Sequence, residues 1–211
     1  PIVSGTTINN ADVILNGQSV GDGFGESVAS AGDFNGDGKD DVIVGALGSA
    51  FIFFGPIVSG TTINNADVIL NGQSRGNWFG WSVASAGDFN GDGKDDVIVG
   101  APRNNNTGSF SGSAFIFFGG VTGTINNPGT NADVILNGQR AGDYFGRSVA
   151  LAGDFNGDGV DDVIVGASEN DTNGINSGSA YIFFSPFDPA PGPSPAPPAP
   201  PQPPSGLTVT P

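Results

Sequence analysis

Short apolar segments alternate with polar, glycine-rich segments over residues 1–185. In the first unit, four segments have strand length: Glu26–Ala31, Asp41–Val44, Ser49–Phe54 and Ala66–Leu70. The second is β-branched, as is typical of a buried strand, and the Gly, Asn and Thr residues between segments favour turns. No segment keeps a helical period over ten residues. The pattern predicts an all-β chain with four antiparallel strands per unit.

The pattern recurs as an internal repeat. Pro1–Gly17 reappears without change as Pro56–Gly72, and the third copy keeps Asn131–Gly138. The spacing between loops is 55 residues from Asp33 to Asp88 and 66 from Asp88 to Asp154, and the additional residues lie at two junctions only, Ala101–Ser113 and Phe118–Asp133. Insertions confined to such junctions indicate surface loops. The chain therefore contains three repeats of one structural unit.

Four-stranded units in a row predict the blades of a β-propeller. Closed propellers have about four to eight blades, so three repeats are either part of a larger propeller or complete one by self-association. Ala11–Leu15 matches the fourth strand of a blade, whereas Tyr181–Phe184 matches a third strand with no fourth after it. The N-terminal strand would complete the last blade or belong to a preceding one.

An acidic nine-residue segment occurs once in every unit. Asp33–Asp41 (DFNGDGKDD) returns unchanged as Asp88–Asp96, and as Asp154–Asp162 with valine in place of lysine. Oxygen-bearing side chains stand at positions 1, 3, 5 and 9 with glycine at position 6, a pattern that can wrap a loop around a hard cation. The candidate ligands, with a backbone carbonyl at position 7, are Asp33, Asn35, Asp37, Lys39 and Asp41; Asp88, Asn90, Asp92, Lys94 and Asp96; and Asp154, Asn156, Asp158, Val160 and Asp162.

The chemistry of these ligands favours calcium, one ion per repeat and three in total. Oxygen ligands without His or Cys exclude a typical zinc or copper site, and so many protein oxygens suit a larger ion than magnesium. An EF-hand would need Glu at position 12, where Val44, Val99 and Val165 stand. The alternative is that the loops are plain β-turns. The aspartates at position 8 fall outside the ligand set, and we interpret them as solvated or as supporting the ligands: Asp40, Asp95 and Asp161.

Composition narrows the possible functions. The formal charge is −15, and twelve of the 21 acidic residues lie in the three loops, an arrangement that a bound cation would stabilise. The six basic residues do not cluster, which argues against nucleic-acid binding. No apolar run reaches the ~20 residues of a membrane-spanning helix. Without His or Cys, most nucleophile–base pairs are excluded, and we expect no enzymatic activity.

The composition changes after the third repeat. Residues 186–205 are rich in proline and predict an extended linker between domains. Residues 206–211 match the start of a further β domain. The predicted organisation is three repeats over residues 1–185, a linker, and the beginning of another domain.

The ordered motifs of each unit resemble a known family. Phe-Gly precedes the acidic loop and Gly-Ala follows it in all three units, and the second unit completes Gly-Ala-Pro at Pro102. This order resembles the FG-GAP repeat of integrin α-subunit propellers and of many bacterial surface proteins. The resemblance implies a propeller blade, a calcium ion between its first two strands, and a role in adhesion or ligand display. The Phe-Gly pairs are expected to serve packing: Phe24-Gly25, Phe79-Gly80 and Phe145-Gly146.

Together these features predict a calcium-binding, non-enzymatic scaffold of an extracellular or cell-surface protein. Its partner would be a protein or a glycan, and the inserts Arg103–Gly112 and Ser168–Gly178 are candidates for the binding surface. One alternative is an accessory propeller of a secreted hydrolase. Another is a carbohydrate-binding, lectin-like propeller, although Trp78 and Trp81 occur in one unit only.

Overall fold

The computed structural model describes residues 11–58 and 61–187. The first blade consists of β1 (Ser27–Gly32), β2 (Asp41–Ala46), β3 (Ser49–Phe53) and β4 (Val68–Asn71), paired antiparallel in that order. A short 3-10 turn (Ile63–Asn65) leads into β4. Each strand thus pairs with the strand that precedes it in the sequence, as the four-segment pattern predicts.

The second and third blades repeat this arrangement. The second pairs β5 (Ser82–Gly87), β6 (Asp96–Ala101), β7 (Ser113–Phe117) and β9 (Val134–Asn137), and the third pairs β10 (Ser148–Gly153), β11 (Asp162–Ala167) and β12 (Ser179–Phe183). Two further elements lie between β7 and β9. One is β8 (Gly123–Asn126), which pairs in parallel with β4 of the first blade, and the other is α1 (Pro128–Asn131). A second 3-10 turn covers Arg75–Asn77.

The all-β fold class and the propeller blades are confirmed, and the predicted strands are correct to within two residues at each end. One strand prediction is wrong: Ala11–Leu15 is not a strand, and Asn16 makes only an isolated parallel bridge to Thr62. Across the described ranges, the third blade has three strands and does not pair with the first, so the row of blades is not closed. The parallel strand β8 had no signal in the sequence.

The hydrophobic core lies between the blades. One cluster joins Ile43 and Ile52 of the first blade to Val99 and Phe115 of the second, and all four are fully buried. A second cluster joins the second and third blades in the same way. Because successive residues of a strand face opposite sides, each blade uses one set of apolar residues toward the blade before it and another toward the blade after it.

The Phe-Gly pairs serve packing, as predicted. The Phe79 ring meets Phe117 edge-on, with ring centres 6.2 Å apart, and is buried in the cluster between the first two blades. Gly80 has a φ of +86°, and a Cβ there would overlap the carbonyl oxygen of Ser49 in the first blade. Glycine is therefore required both by backbone conformation and by the close approach of two blades.

Several predictions concern residues outside the described ranges. They include the repeat copy within residues 1–10, the proline-rich linker from residue 188 onward, and the further β domain at 206–211. The described helices are all too short to cross a membrane.

Candidate metal centres

Each acidic loop connects the first two strands of its blade. The preceding strand ends in a β-bulge, where Gly32, Gly87 or Gly153 adopts a φ between +64° and +69°. Inside the loops, the glycines at positions 4 and 6 are also left-handed, with φ values of +78° at Gly36 and +86° at Gly38. Glycine at these positions lets the chain curl tightly. The curled backbone places the side chains of positions 1, 3 and 5 around one small turn.

Hydrogen bonds hold the first three ligand positions together. In the first loop, the N–H of Asp37 donates to Oδ1 of Asp33 at 2.8 Å and to Oδ1 of Asn35 at 2.7 Å. The N–H of Gly38 donates to Oδ2 of Asp33 at 2.9 Å. The second loop repeats all three bonds, and the third repeats two and replaces one with a bond from Gly157 to Asp154. The structure therefore brings positions 1, 3 and 5 together.

The position 9 aspartates are fully buried, unlike the other carboxylates of the loops. Asp96 accepts from the N–H of Asn90 at 3.1 Å and from the N–H of Gly119 at 2.9 Å, so it links the loop to the end of β7. Burial raises the pKa of Asp96 to about 7, against the lowering effect of these two donors and with a smaller contribution from nearby carboxylates. Burial likewise raises the pKa of Asp41. A nearby positive charge would stabilise the ionised form of both groups.

The side chains at position 7 make different contacts in the three loops. Lys39 pairs with Asp37 at 3.1 Å in an exposed contact, and this hydrogen bond is the main reason that the pKa of Asp37 is lowered. The stem of Lys94 lies beside Gly36 in the loop of the preceding blade, and Val160 is buried. Because these contacts differ from loop to loop, position 7 can be Lys or Val, provided that only its backbone carbonyl serves as a ligand.

The oxygen atoms of the loop side chains are the type of ligand that a hard cation prefers. Each loop offers carboxylate and amide oxygens, and an oxygen that accepts one N–H bond keeps a second lone pair. Over residues 11–58 and 61–187, no three carboxylates stand close enough together to hold an ion by themselves. In the second loop, the position 9 carboxylate accepts hydrogen bonds both from its own loop and from Gly119, which follows β7. The full ligand set therefore remains a prediction.

Two of the aspartates at position 8 also connect neighbouring blades, which was not predicted from the sequence. Asp95 accepts a hydrogen bond from the backbone N–H of Asp33 at 2.7 Å, and Asp161 accepts from the N–H of Asp88 at 3.1 Å. Each carboxylate thus fastens its own blade to the loop of the preceding blade. Asp95 and Asp161 are partly buried and hold the backbone of two candidate ligands, Asp33 and Asp88, so the supporting interpretation fits them better than the solvated one. The available signal was that all three loops keep this aspartate although the ligand set does not need it.

The insert Arg103–Gly112 contributes Arg103 and Phe110 to a partly exposed cluster, which lies at the opposite end of the blades from the acidic loops. The Arg103 guanidinium lies 3.5 Å from the centre of the Trp78 ring, and Trp78 stacks on Trp81 with ring centres 4.6 Å apart. Phe110 stacks on Tyr144 at 5.7 Å and lies 5.5 Å from the same guanidinium. We call these five residues the Arg103 cluster. Trp78, Phe110 and Tyr144 have φ values of +53° to +56°, an uncommon conformation for bulky residues.

The other insert, Ser168–Gly178, is organised around a buried polar residue. Asn170 donates to Asp143 at 2.8 Å and accepts from the N–H of Thr172 at 3.0 Å and from the hydroxyl of Ser179 at 3.1 Å. These bonds fix the base of the insert, while Ile175 at its tip is exposed. The predicted ligand surface thus separates into an aromatic insert and a polar one.

The blades, their Phe-Gly turns and the acidic loops between first and second strands define an FG-GAP propeller segment. The FG-GAP repeat family matches residues 24–55 and 79–117, and a second FG-GAP repeat family matches residues 131–183. The chain belongs to the FG-GAP repeat family.

Integrin α subunits are among the relatives. The chain is 33% identical to integrin alpha-PS5 of Drosophila melanogaster over 166 residues, which cover 73% of the chain and 16% of the relative. It is 31% identical to integrin alpha-5 of Xenopus laevis over 203 residues, covering 85% and 18%. A phosphatidylinositol-glycan-specific phospholipase D of Dictyostelium discoideum is 28% identical over 196 residues, covering 80% and 20%. The chain spans a fifth or less of the length of these relatives.

Proposed function

We propose that this chain is a calcium-stabilised, non-enzymatic propeller segment of an extracellular or cell-surface protein, which presents loops to a protein or glycan ligand. The observation that carries the proposal is the threefold recurrence of one oxygen-rich loop between the same two strands. Calcium would act structurally, with one ion in each of three loops. The likeness to integrin α subunits supports adhesion or ligand binding.

The buried carboxylate at position 9 supports a cation in each loop. Asp96 is fully buried close to the carboxylates of Asp88 and Asp92, and its pKa is raised. A divalent ion would offset the unfavourable desolvation of Asp96 and the repulsion among the three groups. Extracellular calcium modules bind with dissociation constants of about 10⁻⁴ to 10⁻³ M, so loops of this kind would be filled outside the cell.

Calcium titration tests the proposal. We expect calorimetry to report three sites and the melting temperature to rise with calcium, because a ligand at 100 times its Kd adds about 2.7 kcal/mol per site to the free energy of unfolding. EDTA should reverse the rise. The variant Asp92→Ala should lose one site and about a third of the calcium-dependent gain in stability.

Asp12→Ala is the matched control, since it removes an exposed carboxylate outside the loops. It should keep three sites. A melting temperature that ignores both calcium and EDTA, together with no heat of binding, would rule out the calcium sites.

The Arg103 cluster is the ligand surface that the geometry supports best. Stacked rings and a guanidinium offer broad apolar faces and a positive charge within a strongly acidic chain. Bulky residues held in left-handed backbone occur preferentially at functional sites.

Arrays of glycans and of extracellular proteins test this surface. We expect Trp81→Ala to weaken binding of any ligand found by about tenfold or more, because aromatic anchors carry much of the energy of an interface. The control Ile175→Ser removes an exposed apolar side chain from the other insert and should leave that binding unchanged. Equal loss in both variants, or none in Trp81→Ala, would place the ligand surface elsewhere. Binding to glycans alone would indicate the lectin-like alternative.

A second candidate is an accessory propeller of a secreted hydrolase. The similarity to a phospholipase D over 80% of this chain favours it. In that arrangement these blades would bind or position, and another part of the same gene product would catalyse. A catalytic motif elsewhere in that gene product would favour this candidate, whereas further β modules would favour adhesion.

A further inference from the structure

The third blade exposes a face that is buried in the first two blades. Ile52 and Ile116 stand at one position of successive blades and are fully buried against the next blade, whereas the equivalent Ile182 is 37% exposed. Phe155 and Phe184 on the same face are 62% and 53% exposed, and their rings stack on each other with centres 6.4 Å apart. The third blade therefore carries a complete set of apolar residues for a blade that would follow it.

The polar contacts of the blade interface are also open at this end. A Cβ added to Gly87 would overlap the carboxylate of Asp161, but a Cβ added to Gly153 would meet no atom within 4 Å. Ser82 donates from its hydroxyl to the carbonyl oxygen of Gly146 in the next blade at 2.9 Å, whereas the equivalent Ser148 is exposed. An aspartate and a glycine carbonyl are the groups that would complete this interface.

The first blade offers those groups at the other end of the row. Asp40 is the equivalent of Asp95 and Asp161, and it is exposed. Val28 of β1 is 69% exposed, whereas the equivalent Val83 is 7% exposed against the first blade. The surface that would receive a preceding blade is thus present and uncovered along β1.

Residues 11–16 occupy the place of the outer strand of a preceding blade. Leu15 packs against Val44 and Phe51 of the first blade, as Leu70 of β4 packs against the second. Asn16 makes a parallel bridge to Thr62, as β4 pairs in parallel with β8. Beside this segment lies an open groove lined by Val13, Leu15, Asp40, Val42, Pro56 and Ile57.

We propose that two copies of this chain associate head to tail, with the third blade of one copy packed on the first blade of the other. Residues 11–16 of one copy add as a fourth strand to the free edge of β12 in the other. Asp40 accepts from the backbone N–H of Asp154, and the hydroxyl of Ser148 donates to the carbonyl oxygen of Gly25. These pairs reproduce the contacts made inside each copy by Asp95 with Asp33 and by Ser27 with Gly80.

A second copy fits because this chain carries both halves of one interface. The three blades of residues 11–58 and 61–187 do not close on themselves, but those of two copies together make six, within the about four to eight blades of closed propellers. Two identical head-to-tail contacts related by a twofold axis close such a ring. Strand addition in trans would also remove the exposed edge of β12.

Sedimentation velocity of the full chain in calcium tests the proposal. Interfaces of standard size bind with dissociation constants from μM to pM, so we expect a dimer of closed shape within a range of about 1 to 100 μM. Asp40→Ala should weaken association about tenfold, because it removes a hydrogen bond to a charged acceptor. Phe184→Ser should weaken it through the opposite face, and both variants should keep the melting temperature of the dilute wild-type chain.

Ile175→Ser is the control, since it removes an exposed apolar residue away from both faces. A mixture of Asp40→Ala and Phe184→Ser should form one-to-one pairs more readily than either variant alone, because one of the two interfaces is then unaltered. A monomer throughout the concentration range would overturn the proposal. So would a dimer that Asp40→Ala and Phe184→Ser leave as tight as the wild type, since another surface would then hold it.

Discussion

The glycines at the β-bulges allow neighbouring blades to approach closely. Gly32, Gly87 and Gly153 end the first strand of their blades with nearly the same φ. Only Gly32 and Gly87 face a carboxylate from the following blade, Asp95 and Asp161 respectively. All three positions require glycine for the backbone conformation. Where a blade follows, glycine is also required because a Cβ would overlap the carboxylate of that blade.

Alanine substitutions separate these two constraints. We expect Gly153→Ala to lower the free energy of unfolding by about 1–2 kcal/mol, from left-handed strain alone. Gly87→Ala should lower the free energy of unfolding by about 1–3 kcal/mol more than Gly153→Ala does, because its Cβ displaces the Asp161 carboxylate. Urea unfolding of both variants in calcium, at protein concentrations low enough for the chain to be a monomer, measures the difference. Equal losses would contradict the contact between bulge and carboxylate.

The second strands illustrate how context acts on an element. β2, β6 and β11 have the identical sequence Asp-Val-Ile-Val-Gly-Ala, and each lies between two antiparallel neighbours of its own blade. All six residues of β6 are buried, whereas Ile164 and Gly166 of β11 are partly exposed. The difference arises from the packing of blade on blade, since sequence and strand pairing are the same.

Hydrogen exchange can measure this difference directly. Identical sequences have matched intrinsic exchange rates, so protection reports only the stability of the surroundings. In dilute protein we expect β6 to exchange most slowly and β11 most rapidly, because β6 is covered on both faces. Mass spectrometry of peptides from the three strands measures the order. Equal protection would contradict a row of blades that is open at the third blade.

At the scale of the whole molecule, the candidate metal loops and the candidate ligand-binding inserts lie at opposite ends of the blades. The acidic loops all join first to second strands and lie at one end, whereas the inserts join second to third strands and lie at the other. A strand of six residues spans about 20 Å, so a ligand on the Arg103 cluster would not touch the loops. Trp81→Ala should accordingly leave calcium binding unchanged, which makes calcium titration a check on its folding.

Much of this architecture could be predicted from the sequence because local chemistry is repeated. Strand positions follow from apolar segments such as Ser49–Phe54, and the loops follow from the Asp, Asn and Gly residues at fixed positions. The strand predicted at Ala11–Leu15 was wrong for a tertiary reason. A strand needs a partner, and the described part of the chain places no third strand beside these residues.

The sequence by itself determined that the chain is all-β, that it repeats three times and that it belongs with FG-GAP repeats, and it predicted which oxygens a cation would use. These properties depend on the order and type of residues within a unit. Only the tertiary structure showed that Asp95 and Asp161 join blades, that Arg103 lies on Trp78, and that the third blade presents an open face. Those features depend on contacts between residues far apart in the chain, and identical sequences such as β6 and β11 differ only through such contacts.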